Sequence, residues 1–158
     1  MPSTPADPER VLRELGLLAE FVNSSMLAHT LGARIDFPEG KRVRLRVEEV
    51  RPEHRGGFGT EAVNGAVLSG LLDLALGFTP ALSDPRRRSA TMQLSISFEE
   101  PVRGNSLTAE AWATRVGERI VFATGHILDE EGRVCVNCQG LVRRLGTEWA
   151  NAHGLAAK

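Results

Sequence analysis

A chain of 158 residues, 42% hydrophobic and 25% charged, has the length of one compact domain and the composition of an ordinary globular protein. Nineteen basic and 20 acidic side chains give a formal charge of −1, which excludes a generally basic nucleic-acid binder and an acidic disordered tail. No apolar run approaches the roughly 18 residues of a membrane span, and the start from Met1 to Asp7 lacks the basic-then-apolar order of a signal peptide; the expectation is a cytoplasmic protein.

Residues 1–6 are rich in Pro, Ser and Thr and read as a loose tail. From Asp7 the spacing predicts an amphipathic helix: Val11, Leu15, Leu18 and Val22 recur at helical intervals, with Arg10, Arg13, Glu14 and Glu20 between them. Leu31 to Phe37 reads as a short strand closed by Pro38 to Gly40. Val43 to Val50 alternates apolar and charged through Val47, the pattern of a half-buried strand, and a Gly-rich loop follows to Thr60.

Next comes a helix bounded by an N-capping Asn64 and by Pro80. Val67, Leu68, Leu71, Leu72, Leu74, Leu76 and Phe78 cover every side of it, which predicts burial. Ser83 to Arg88 reads as a basic loop. Four strand signals follow, Thr91 to Phe98, Leu107 to Val116, Ile120 to Leu128 and Val134 to Leu145, with a hairpin turn over Asp129 to Arg133. In the first of them Met92, Leu94, Ile96 and Phe98 fall on one face. One strongly apolar helix followed by an antiparallel meander predicts an α+β fold with the sheet curled around the helix. The expected organisation is a tail and amphipathic helix over 1–25, a core domain over 26–145 and a C-terminal tail over 146–158.

Two motifs lead nowhere. Gly57 to Ala62 formally fits a dinucleotide-binding G-x-G-x-x-A, but the strand before it ends too early and alternating βα units are missing. Cys135 and Cys138 form a C-x-x-C on a predicted strand, where residues three apart point to opposite faces and share neither a metal nor a disulfide. His29, His126 and His153 show no metal-ligand grouping, and Trp112 and Trp149 lack the basic interleaving of a single-strand nucleic-acid binder.

The chemical anomaly is Asp73, with Ser69 the only polar side chain between Gly65 and Phe78. Either it faces solvent or caps a backbone group, or it is a carboxylate held in an apolar cleft for acid–base or nucleophilic work. Gly65, at the positive end of the helix dipole, offers a first-turn N–H to a carbonyl oxygen as charge develops on it. The two lie about 12 Å apart along a helix rising roughly 1.5 Å per residue. One helix cannot aim both at a single carbonyl, so a site using both needs a second copy of the chain.

Across residues 26–145 the sequence resembles the hotdog-fold acyl-CoA thioesterases of the PaaI type. The likeness is carried by Asn64 to Asp73, by the strand Thr91 to Phe98 running into Pro101 to Gly104, and by the turn Asp129 to Arg133. It implies a long helix wrapped by an antiparallel sheet, subunits paired with their sheets continuous, and dimers associating into tetramers. It implies catalytic roles for Asp73 as base or nucleophile, for the Gly65 N–H of the opposing subunit on the thioester carbonyl, and for Thr91 as a positioning hydroxyl. The family begins its helix with His-Gly-Gly where this chain has Asn64, Gly65 and Ala66, and often carries an amide six residues earlier, where this chain has Phe58. Asn64 can hydrogen-bond a thioester or water but is no acid–base group near neutral pH. His54 and Glu61 are the candidates to compensate, and Arg86, Arg87 and Arg88 are candidates to meet the phosphates of an acyl-CoA.

The expected function is therefore hydrolysis of a small, medium or aromatic acyl-CoA, without a metal or redox cofactor. A hotdog dehydratase or hydratase would want a His five residues past the Asp, where Phe78 stands. The alternative of another class is a non-catalytic acyl-CoA or lipid-binding dimer.

Overall fold

A computed structural model of the chain describes residues 7–56 and 60–148; Phe58, Trp149, His153 and the tail 1–6 lie outside them. Helix α1 (Pro8–Asn23) starts where Asp7 accepts a hydrogen bond from the Glu9 N–H at 3.2 Å, with Pro8 preset for the first turn, and it buries Leu15, Leu18 and Val22. A short α2 (Met26–Leu31) follows, capped by Ser25 and stopped by Gly32 at φ 61°, a left-handed conformation that glycine adopts without strain. The sequence had suggested strand from Leu31; that strand, β1 (Ala33–Asp36), begins only after this stop. Strand β2 (Val43–Val47), helix α3 (Gly65–Gly77), and strands β3 (Arg87–Phe98), β4 (Leu107–Val116), β5 (Ile120–Asp129) and β6 (Val134–Glu148) complete the chain order. Arg87 and Arg88 are thus the start of a strand rather than loop, and the last strand runs past its expected end at Leu145.

The six strands form one antiparallel sheet in the order β1-β2-β4-β5-β6-β3. Helix α3 lies across it, touching β2, β3, β4, β5 and β6. Leu68, Leu71, Leu72, Ala75 and Leu76 face a sheet surface built of Leu45, Ala109, Ala111, Ile127, Val136 and Val142. Small residues let helix and sheet approach closely: a Cβ on Gly140 would stand 2.7 Å from the Leu76 side chain and 2.3 Å from the Gln93 carbonyl oxygen. By length and composition alone Gly65–Leu82 is apolar enough to cross a membrane, contrary to the sequence reading. Here it is the core helix and the turn that follows it.

The helix is not apolar all round. Ala66 and Asp73 are exposed and Gly70 and Gly77 half-buried, a stripe at helical spacing that the sheet leaves uncovered. Both sheet edges are strands paired on one side only, β1 and β3. At β1 the Asn23 side chain takes the place of a neighbour, donating to the Ile35 carbonyl at 3.0 Å and accepting from its N–H at 2.7 Å.

Cys135 and Cys138 are free, and both are buried: the strict alternation expected between them is interrupted by an irregularity in the β5–β6 register around Cys135. Burial pushes the Cys138 thiol up to about 11. Burial is also the largest influence raising Cys135, followed by the Asp129 carboxylate.

Candidate active site

Helix α3 runs antiparallel to the edge strand β3, and a glycine seats each end. A Cβ on Gly77 would stand 3.4 Å from the Thr91 hydroxyl oxygen, and one on Gly65 would stand 3.6 Å from the Phe98 ring. The Ser89 hydroxyl donates to the Gly77 carbonyl at 2.5 Å and fastens the two elements where the helix ends.

A register shift between Thr91 and Gln93 sets the direction of the Thr91 side chain. Two-residue alternation would place Thr91 opposite Leu94 and Ile96. With Met92 as the extra residue of a bulge, Thr91 turns to the half-buried side with them, while Met92 is 57% exposed. The expected single face of Met92, Leu94, Ile96 and Phe98 therefore loses Met92, while Phe98 stays on it against Gly65 although 54% exposed at the strand's end.

Thr91 and Asp73 thereby line one cavity of about 360 Å³. Its apolar wall is Leu18, Phe21 and Val22 of α1, with Leu74, Phe78 and Ala81; Arg87 and Arg88 stand on the polar side. Asp73 belongs to the exposed stripe of α3 and is exposed in a single copy of the chain. Of the two readings the sequence left open, an isolated subunit has the solvent-facing one. The apolar wall from α1 has no distinctive signal in the sequence: Phe21 lies off the buried stripe of Val11, Leu15, Leu18 and Val22, but so do Leu12 and Leu17, which do not line the cavity.

Asn64 and Gly65 are not among the residues lining this cavity. The Asn64 side-chain oxygen accepts from the Ala66 N–H at 2.8 Å, so its acceptor is used in capping. No hydrogen bond engages the Gly65 N–H among the described residues.

The compensating groups fall elsewhere. His54 is 3% exposed and structural: its Nδ1 accepts from the Arg51 N–H at 3.3 Å and its Nε2 faces the Thr30 carbonyl at 3.1 Å. Glu61 is exposed and outside the cavity. Phe58 lies outside the described residues. Arg86 is drawn away by Glu14 of α1, whose carboxylate takes both its Nε and Nη2 at 2.8 Å. Arg87 lines the cavity but pairs with Asp84 at 3.1 Å, which leaves Arg88 the cation with no ion pair there among the described residues. Also among the described residues, no three His, Cys, Asp or Glu side chains are grouped to hold a metal.

Residues 61–136 match the family model described as the thioesterase superfamily, a stretch that contains Asn64, Gly65, Asp73 and Thr91. The PaaI protein from the Escherichia coli phenylacetic acid degradation operon superposes with a TM-score of 0.73 at 19% identity, covering 87% of this chain and 98% of its own. A Bacillus halodurans protein solved with CoA gives 0.70 at 22% identity, covering 92% and 98%. A Haemophilus influenzae thioesterase gives 0.71 at 18%, covering 83% and 90%. At these identities the likeness is one of fold. No curated protein matches the sequence.

Proposed function

We propose, for a chain whose residues 61–136 match the thioesterase superfamily and which has the hotdog fold, that its reaction is the hydrolysis of an acyl-CoA thioester at a site completed by a second copy of itself. The observation that carries this is the meeting of Asp73 and Thr91 in one cavity with an apolar wall, on a chain matching that superfamily. Asp73 activates water to attack the thioester carbonyl, or attacks it directly to form an acyl-aspartyl anhydride that water then hydrolyses; in either case the C–S bond breaks, the sulfur leaves as the CoA thiol and water supplies the second oxygen of the carboxylic acid. Thr91 hydrogen-bonds the carboxylate or the water. The Bacillus halodurans neighbour, solved with CoA, supports CoA as the carrier, and Arg88 is placed to meet an anionic part of it.

The oxyanion donor is the Gly65 N–H of the other subunit. Two features support pairing through β3. From Ser89 to Phe98 this open edge carries no charge and no proline, the devices by which edges are blunted, so a matching strand is its natural cover. The uncovered stripe of α3 lies along that same edge. A two-fold axis there sets two α3 helices antiparallel and brings Gly65 of one toward Asp73 of the other.

A second reading, an acyl-CoA-binding dimer without turnover, draws on one observation: no histidine stands at the start of α3, and the nearest, His54, is locked to Arg51 and Thr30. Release of free thiol from a panel of acyl-CoAs separates the two. Turnover lost in Asp73→Asn supports the hydrolase; tight binding with no thiol release across the panel establishes the binding module instead.

A further inference from the structure

We propose that α1 forms the acyl-chain wall of this site and that Phe21 determines which chain lengths the site accepts; the inference rests on the thioesterase reading and extends it. Helix α1 lies outside the residues that match the family, yet it supplies Leu18, Phe21 and Val22 to the cavity that holds Asp73 and Thr91. Each polar group of the cavity comes from α3 or β3, and α1 contributes only hydrocarbon. An acyl chain attached to a carbonyl at Asp73 has its apolar surface satisfied against that wall, while the charged carrier finds its partners near Arg88.

A wall selects among ligands only if it holds still, and α1 is held at its middle and at its C-terminal end. At its middle Glu14 grips Arg86, which directly precedes β3, through two nitrogens at 2.8 Å. At its end Asn23 makes the paired hydrogen bonds to the Ile35 backbone at 3.0 and 2.7 Å. Between these clamps Leu18 and Val22 are buried and form the fixed floor. Phe21 lines the same cavity but is 37% exposed, the one α1 side chain there that is not buried. A side chain there changes the length of the pocket without changing the core beneath it.

The test compares wild type with Phe21→Ala and Phe21→Trp, both at a partly exposed position that tolerates a change of volume. Two readouts are taken: kcat/KM for hexanoyl-CoA against dodecanoyl-CoA, and calorimetric affinity for the matching S-alkyl-CoA thioethers, which cannot be hydrolysed. Phe21→Ala shifts the ratio toward the longer chain by about tenfold or more and Phe21→Trp shifts it the other way, a few methylenes in an apolar pocket being worth at least that. Unchanged length profiles in both variants overturn the role of Phe21. An absence of hydrolysis by wild type overturns the thioesterase reading, and the thioether affinities still decide whether Phe21 reads chain length.

Discussion

The Thr91 hydroxyl oxygen lies 3.4 Å from the point where a Cβ on Gly77 would stand. Gly77 is one helical turn beyond Asp73, so the hydroxyl and the carboxylate share one face of α3. Thr91→Val keeps the shape and removes only the hydroxyl. Its kcat/KM falls about tenfold or more, a hydrogen bond to a charged group being worth roughly 1.5–3 kcal/mol, while Thr91→Ser keeps most of the activity. Steady-state thiol release decides it, and full activity in Thr91→Val removes Thr91 from the reaction.

Asp73→Asn leaves folding intact, because the carboxylate is exposed and makes no ion pair among the described residues. Its kcat falls by about 10² to 10⁴, the usual contribution of a positioned acid–base group, with the melting temperature unchanged or raised. A variant that melts early, or that hydrolyses acyl-CoA at the wild-type rate, contradicts the assignment.

The architecture was legible where its signals were of the right period: Leu68, Leu71, Leu72 and Leu76 announce a buried helix, and alternation and turn residues announce the strands. The sheet order was not: only β4, β5 and β6 form the expected meander, while β3 crosses over to pair with β6 and leaves β4 to pair with β2, pairings between distant segments that no local pattern announces. The site was legible as residue types at Asp73, Gly65 and Thr91, but not as geometry. Thr91 faces Gly77 only because a bulge at Met92 reverses the strand's parity, and an unaligned run of alternating residues does not announce a bulge. Asp73 seemed enclosed because Ala66, Gly70 and Gly77 count as apolar; being small, they leave a stripe the sheet does not cover. His54 stands in a Gly-rich loop segment that gives no sign of burial, yet its ring is buried between Arg51 and Thr30 and so cannot compensate for the absent histidine.

The two cysteines report on the core. Burial raises Cys138 to about 11 and also raises Cys135, so both stay protonated in the native protein near neutral pH. A folded-state pKa above the unfolded value of about 8.5 gives a contribution fully present below that value and lost as pH rises through the folded one. Stability in urea therefore declines between about pH 8.5 and pH 11, in a chain with no tyrosine to titrate across the same range. Ellman's reagent at about pH 8 finds no reactive thiol in the native protein and both after denaturation. Rapid native labelling contradicts the buried placement.

The shared site makes the sharpest prediction. Gly65 is the first residue of α3, the helical position that best tolerates proline, and Asn64 before it has the extended conformation, φ −63° and ψ 137°, that a proline requires of its predecessor. Gly65→Pro thus deletes one N–H and leaves the helix standing, with kcat falling by about 10² to 10³, as for loss of an oxyanion donor. In a mixture of Gly65→Pro and Asp73→Asn subunits allowed to exchange, half of the dimers are mixed, and each of these holds one site with both defects and one with neither. Activity returns to about a quarter of wild type if the glycine and the carboxylate of each site come from different subunits. If they come from the same subunit, every site keeps one defect and the mixture stays as inactive as its components.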